Sequence, residues 1–186
     1  MILAAGLGTR LKPFTDHHPK ALALVNGKSL LQRNIEYLQQ FGIREVIVNV
    51  HHFADQIIDA VKENNGWGSE VFISDETDEV LETGGGLLRA QGYFKEEESW
   101  ILMNADILTD LPLDKMIAAD ELFAQKAEGD LMATLAVTNR TTSRNLIFNA
   151  AKSSVKSVTL VAYGVIASIL PPDIIEHNTL LQYTPP

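Results

Sequence analysis

Gly6-Leu7-Gly8-Thr9-Arg10-Leu11-Lys12-Pro13-Phe14-Thr15, followed by Asp16-His17-His18-Pro19-Lys20, concentrates phosphate-binding chemistry in one short stretch. Two glycines directly after an apolar run let backbone N–H groups approach an oxyanion without interference from Cβ atoms. Thr9 adds a hydroxyl donor, Arg10 a planar fork suited to phosphate oxygens, and Lys20 a compact charge on a long stem. A dinucleotide fingerprint would need a third glycine where Leu11 stands, and a Walker loop would end in Gly-Lys-Ser/Thr, which is missing here. For a bare Gly-x-Gly, an exposed turn with solvated basic side chains stays open as an alternative. Lys20, set between Pro19 and the apolar Ala21-Leu22-Ala23-Leu24, counts against it.

Two further stretches carry chemistry. Glu82-Thr83-Gly84-Gly85-Gly86 precedes the helical Leu87-Leu88-Arg89-Ala90, so three glycines would open a helix with free N–H donors; a flexible surface turn is the alternative. Asn104-Ala105-Asp106 follows the apolar Trp100-Ile101-Leu102-Met103. An aspartate at a strand's carboxyl end, beside a phosphate loop, suits Mg²⁺, a hard cation that takes carboxylate and phosphate oxygens. Taken alone, such an aspartate is more simply a helix cap or a turn residue. His51-His52 closes another apolar run; adjacent side chains there point to opposite sides, which argues against joint metal ligation and leaves Asn49 or His51 near a ligand. His17-His18 read as loop surface, and Lys95-Glu96-Glu97-Glu98 as a solvated acidic helix end.

The elements that must position these groups alternate in type. Ile2–Ala5, Val46–Val50, Val71–Ile73, Trp100–Met103 and Leu131–Val137 read as strands. Leu30, Leu31, Asn34, Ile35 and Leu38 share one helical face with Gly42 as a stop. Ile57, Ile58 and Val61 mark a second helix over Ala54–Lys62, and Asp114–Lys126 a third. That alternation is the sequence form of an α/β architecture with a mainly parallel sheet, which binds ligands at the carboxyl ends of its strands.

The 186 residues fit one domain, and a 46% hydrophobic, 21% charged composition supports a packed core. The net charge of −9 argues against a nucleic-acid partner, but residues 1–50 carry +3 against −12 for the remainder, a cationic patch suited to a small anion. No apolar run approaches the roughly 20 residues of a membrane span, and Met1–Ala5 is too short and lacks the basic flank of a signal peptide. Zero cysteines exclude disulfides and thiol chemistry and fit a cytoplasmic setting.

The run Gly6-x-Gly8-Thr9-Arg10-Leu11-x-Pro13-x-Thr15 with Pro19-Lys20-Ala21-Leu22 resembles the signature of the sugar-1-phosphate nucleotidyltransferases. That family includes mannose-1-phosphate guanylyltransferases and N-acetylmuramate-1-phosphate uridylyltransferases. Asn26-Gly27-Lys28-Ser29-Leu30-Leu31 resembles its turn into the first helix. The resemblance implies a Rossmann-like, glycosyltransferase-A-type three-layer fold and the reaction NTP + sugar 1-phosphate → NDP-sugar + pyrophosphate. It implies that Ala4, Ala5, Gly6, Gly8, Thr9 and Arg10 hold the nucleotide and that Arg10 and Lys20 are the catalytic cations. Thr83, Gly84 and Gly85 would lie along the base, and Asp106 would bind Mg²⁺. The chemical step would be in-line attack on the α-phosphorus by an oxygen that is already anionic, helped by positioning and electrostatics rather than a general base. A phosphocholine cytidylyltransferase-like enzyme and a non-catalytic nucleotide-binding module are the alternatives.

The chain departs from this pattern late. Residues 131–172 hold no Asp or Glu but include Arg140, Arg144, Lys152 and Lys156. The family's second metal-binding aspartate has no counterpart there; Asp173 reads as a helix-starting residue, and Val161–Ile166 loosely resembles a later core strand. Either this is a basic β-rich subregion or stretches are missing. The expectation is one nucleotidyltransferase domain over residues 1–186, incomplete in its C-terminal third.

Overall fold

The computed structural model describes residues 1–79, 81–95, 99–126, 133–136 and 167–169. In chain order its strands are β1 (Ile2–Leu3), β2 (Leu24–Val25), β3 (Lys28–Ser29), β4 (Glu45–Val50), β5 (Glu70–Asp75), β6 (Trp100–Asn104), β7 (Ala133–Leu135) and β8 (Ala167–Ile169). Its helices are α1 (Leu30–Gln39), α2 (Ala54–Glu63), α3 (Thr83–Arg89) and α4 (Leu113–Lys126). The main sheet runs β5-β4-β1-β6-β8-β7; the first four strands are parallel, and β8 is antiparallel to both β6 and β7.

Val46 to Val50 are all buried, as expected of an interior parallel strand covered on both faces. On one face, Ile2, Val48 and Met103 pack with Leu31, Ile35 and Leu38 of α1, Ile57 and Val61 of α2, and Leu113 and Met116 of α4. On the other, Ile47 and Leu102 meet Leu87 and Ala90 at the end of α3, with Phe94 stacked on Trp100 at 4.1 Å between ring centroids. Helix, sheet and helix therefore form the three layers that the family resemblance implies. Each fully buried Leu, Ile or Val contributes roughly 1.5–3 kcal/mol, so packing outweighs helix propensity in fixing these ten-residue helices.

The turn into α1 follows its residues closely. Asn26 (φ 48°) and Gly27 (φ 77°) both take the left-handed region, the form a two-residue hairpin needs to join β2 to β3. Ser29 then caps α1, its hydroxyl accepting from the Gln32 N–H at 3.1 Å. Arg33 donates to the Val25 carbonyl at 2.8 Å and so ties the helix back to the hairpin.

Two of the boundaries that differ from expectation have a visible cause. The first strand ends at Leu3 rather than Ala5, because the Ala4 N–H bonds to the Asn49 side chain at 2.7 Å instead of continuing the ladder. The helix after Glu82 starts at Thr83, so the three glycines lie inside it rather than before it, and the Gly86 N–H is already bonded to the Glu82 carbonyl at 2.9 Å. The late strand within Leu131–Val137 appears as β7. The acidic stretch at 96–98, the run Val161–Ile166 and Asp173 lie outside the described residues.

Candidate active site

The sheet's register builds the site. Leu3 pairs with Asn49 of β4 on one side and Asn104 of β6 on the other. The chain leaving β1 thus emerges between the carboxyl ends of both neighbours, where the order of strands reverses; open α/β sheets place their ligands at this point.

The loop that follows is shaped by Gly8 and Thr15. Gly8 has φ +63°, and its carbonyl accepts from the Leu11 N–H and the Thr15 hydroxyl, both at 2.9 Å. A Cβ on Gly8 would stand 2.8 Å from the buried Thr15 Cγ2 and 3.1 Å from Lys20 Cβ, so the close approach tolerates no side chain. A Cβ on Gly6 would meet nothing within 4 Å. The loop's return is fastened to α2: Gln56 donates to the His17 carbonyl at 2.9 Å, and His18 Nδ1 donates to Gln56 Oε1 at 3.1 Å. Both histidines are exposed, as the sequence suggests; Gln56, at an outward position on an amphipathic helix, was overlooked because that position gives no signal of its own.

These parts enclose a cleft of about 440 Å³. Ala4, Ala5, Gly6, Gly8, Thr9, Arg10 and Lys20 line it from the loop, Asn104 to Asp106 from the end of β6, and Leu81, Glu82 and Thr83 from the start of α3. Gly84 and Gly85 do not reach the lining; a Cβ on Gly85 would instead meet Leu81 at 3.2 Å. Asn49 reaches the cleft and His51 does not; its Nδ1 donates to the Glu76 carbonyl at 2.6 Å.

The Lys20 Nζ is ion-paired with Asp106 Oδ2, the two side chains being 25% and 34% exposed. Arg10 is exposed and makes no ion pair among the described residues. Asp106 is held from behind: buried Asn34 of α1 donates to the Ala105 carbonyl at 2.8 Å. Among the described residues no three His, Cys, Asp or Glu side chains converge as a metal cage. A single accessible carboxylate beside a phosphate-sized cleft fits Mg²⁺, which keeps its waters and shares itself between one or two carboxylates and substrate phosphates.

Beneath the cleft lies a buried polar pair that sequence reasoning did not find. Asn49 Nδ2 donates to Glu76 Oε1 at 2.9 Å, and Glu76 is fully buried. Burial pushes the Glu76 carboxyl above the usual carboxylate range, opposed by the Asn49 hydrogen bond and by the charges of Arg89 and His51.

Comparison with known proteins agrees with this geometry. The nucleotidyl transferase family pattern matches residues 1–146. Over 93 residues the chain is 44% identical to N-acetylmuramate alpha-1-phosphate uridylyltransferase of Caulobacter vibrioides, covering 48% of this chain and 38% of that one. Over 66 residues it is 48% identical to choline-phosphate cytidylyltransferase of Streptococcus pneumoniae, covering 36% and 28% respectively. The chain therefore spans well under half the length of these curated relatives. Among solved structures, HddC from Yersinia pseudotuberculosis complexed with GMP-PN superimposes with a TM-score of 0.70 and 28% identity, covering 95% of this chain and 78% of that one.

Proposed function

The chain belongs to the nucleotidyl transferase family, and from that premise we propose that it joins a nucleoside triphosphate to a sugar 1-phosphate, giving an NDP-sugar and pyrophosphate. The observation that carries the reading is the convergence of the Gly8 loop, Arg10, Lys20 and Asp106 on one cleft at the reversal point of the sheet.

In this reading an oxygen of the sugar 1-phosphate attacks the α-phosphorus in line. The bond from that phosphorus to the bridging oxygen breaks, and its electron pair leaves with pyrophosphate. The attacking oxygen is already anionic, so no proton has to be removed; repulsion between like charges is the main obstacle. Ala4 and Ala5 form the floor of the nucleotide site. The backbone N–H groups of Gly6, Gly8 and Thr9, with the Thr9 hydroxyl, receive the triphosphate. Arg10 clamps phosphate oxygens, and Lys20 turns from Asp106 to the phosphates around the reacting centre. Thr83 faces the base, with Gly84 and Gly85 behind it. Asp106 would hold Mg²⁺, which when bound polarises a phosphoryl oxygen and offsets the leaving group's charge. A cytoplasmic setting belongs to the same proposal; among the described residues no helix is long and apolar enough to cross a membrane.

The longer stretch of similarity, to an N-acetylmuramate 1-phosphate uridylyltransferase, makes UTP with N-acetylmuramate 1-phosphate the first pair to test. A second acceptor, phosphocholine, is favoured by the 48% identity to a choline-phosphate cytidylyltransferase and would attack the α-phosphorus through the same kind of phosphate oxygen. The test is pyrophosphate release with Mg²⁺, crossing ATP, GTP, CTP, UTP and dTTP with several sugar 1-phosphates and phosphocholine. Release with one pair, abolished by Asp106→Ala, supports the reading and names both substrates. Silence throughout with nucleotide binding intact would leave a non-catalytic nucleotide-binding module in its place.

A further inference from the structure

We infer that Asn49 and Glu76 form a strut that sets the spacing between the two walls of the nucleotide cleft, which makes Glu76 a positioning residue for the nucleotide. The inference rests on the nucleotide site proposed above, and it concerns two side chains that the proposed chemistry does not use.

The strut begins at the root of the phosphate loop. The Ala4 N–H can only donate, so it fixes the Asn49 amide with Oδ1 toward Ala4, at 2.7 Å, and Nδ2 pointing away. That Nδ2 then needs an acceptor, and Glu76 Oε1 supplies it at 2.9 Å. Glu76 is itself held at both backbone ends, its N–H donating to the Val50 carbonyl at 2.8 Å and its carbonyl accepting from His51 at 2.6 Å. The carboxyl is thereby turned inward beyond the end of β5.

The other end of the strut bears on α3. A Cβ on Gly86 would lie 2.8 Å from Glu76 Oε1 and 3.2 Å from Asn49 Nδ2, so the helix rests directly on the hydrogen-bonded pair. That helix carries Thr83 at its first position, on the cleft. One chain of contacts thus runs from Ala4, on the loop side, through Asn49 and Glu76 to the helix on the base side. Among the described residues Glu76 Oε2 has no hydrogen-bond partner, a cost that an apolar side chain of similar size would avoid. A carboxyl kept there at that cost is explained by the acceptor it offers Asn49.

The test combines amide hydrogen exchange in the ligand-free protein with steady-state kinetics. Asn49→Asp keeps the acceptor for Ala4 but sets one carboxyl against another, and Glu76→Ala removes the acceptor. Each should speed exchange at the Ala4 amide and raise the KM for the nucleoside triphosphate about tenfold, the factor one lost buried hydrogen bond supplies, with the sugar 1-phosphate KM unchanged. The double variant Asn49→Asp/Glu76→Gln rebuilds the pair with donor and acceptor reversed and should restore both readouts. Should Glu76→Ala fail to fold, the Asn49→Asp single and double variants carry the test alone. Unchanged exchange at Ala4, equal shifts in both KM values, or a double variant no better than Asn49→Asp would overturn the strut. A wild-type protein that binds no nucleoside triphosphate would overturn the proposed function instead, and the exchange arm would still decide whether the strut exists.

Discussion

Lys20 and Asp106 are ion-paired across the cleft, each serving as the other's counterion. Lys20 arrives on the loop that leaves β1 and Asp106 on the turn that leaves β6; they meet because those strands are neighbours in register. A cation held on Asp106 and phosphates drawn to Lys20 would replace one ion pair with two.

Lys20→Ala and Asp106→Ala should separate activity from stability. The pair is partly exposed, and such pairs contribute about 0–1 kcal/mol, so unfolding midpoints should stay close to wild type. Removing one preorganised charge from the reacting centre should lower kcat on the order of 10²–10³-fold. Thermal denaturation beside pyrophosphate release checks both halves. A Lys20→Ala enzyme working at the wild-type rate would remove Lys20 from the mechanism.

The two glycines of the loop should behave differently. Gly8→Ala forces a side chain into the left-handed region and within 2.8 Å of Thr15 Cγ2, so it should destabilise the protein by about 1–3 kcal/mol and weaken nucleotide binding. Gly6→Ala meets open space, so its unfolding midpoint should not move while nucleotide affinity falls. Denaturation and nucleotide titration of both variants check this. Equal stability losses would show that Gly6 is also conformationally required.

Much of this was legible because periodicity reports burial directly. Leu30, Leu31, Asn34, Ile35 and Leu38 predict one helical face, and all five are buried in α1. Aspartate after an apolar strand and glycines after another predict a shared edge, and the register of Leu3 with Asn104 supplies it. The contacts that shape the loop were not legible. Thr15 reads as one more signature residue until its methyl group is seen against Gly8, and Glu76 stands beside Asp75, Asp78 and Glu79 with nothing in the sequence to mark it as buried. Only tertiary pairing with Asn49 brings Glu76 inside, and a pairing across 27 positions leaves no periodic trace. Among the glycines after Thr83, Gly86 has a further role that the sequence did not show: it lets α3 sit on Glu76.

Asn34 should prove to hold Asp106 in place. Its amide reaches from α1 to the Ala105 carbonyl at 2.8 Å, and both residues are buried. Asn34→Leu leaves that carbonyl without its partner and should lower stability by about 1–3 kcal/mol. Below the unfolding transition it should also weaken metal binding at Asp106, read with Mn²⁺ as a spectroscopic probe. Wild-type Mn²⁺ affinity in a folded Asn34→Leu protein would confine Asn34 to packing.

Glu76 should leave a signature in the dependence of stability on pH. Burial raises its carboxyl pKa above the ordinary 4.5, with Asn49, Arg89 and His51 pulling the other way without reversing the shift. The folded protein therefore holds this proton more tightly than the unfolded chain. The associated stability is fully present below the unfolded value and is lost as pH rises through the folded one. Glu36 and Asp75 are shifted downward, by the Lys28 hydrogen bond and the Thr77 backbone N–H respectively, so their contributions run the opposite way and are lost as pH falls. A difference between two proteins isolates Glu76 from them. Relative to Glu76→Gln, which carries no titrating proton, wild-type stability should decline as pH climbs above the ordinary value of 4.5 and level off once the raised folded value is passed. Urea denaturation of both proteins across that range gives the difference curve. Parallel curves would mean that Glu76 titrates as it does in the unfolded chain, and that its burial carries no cost in charge.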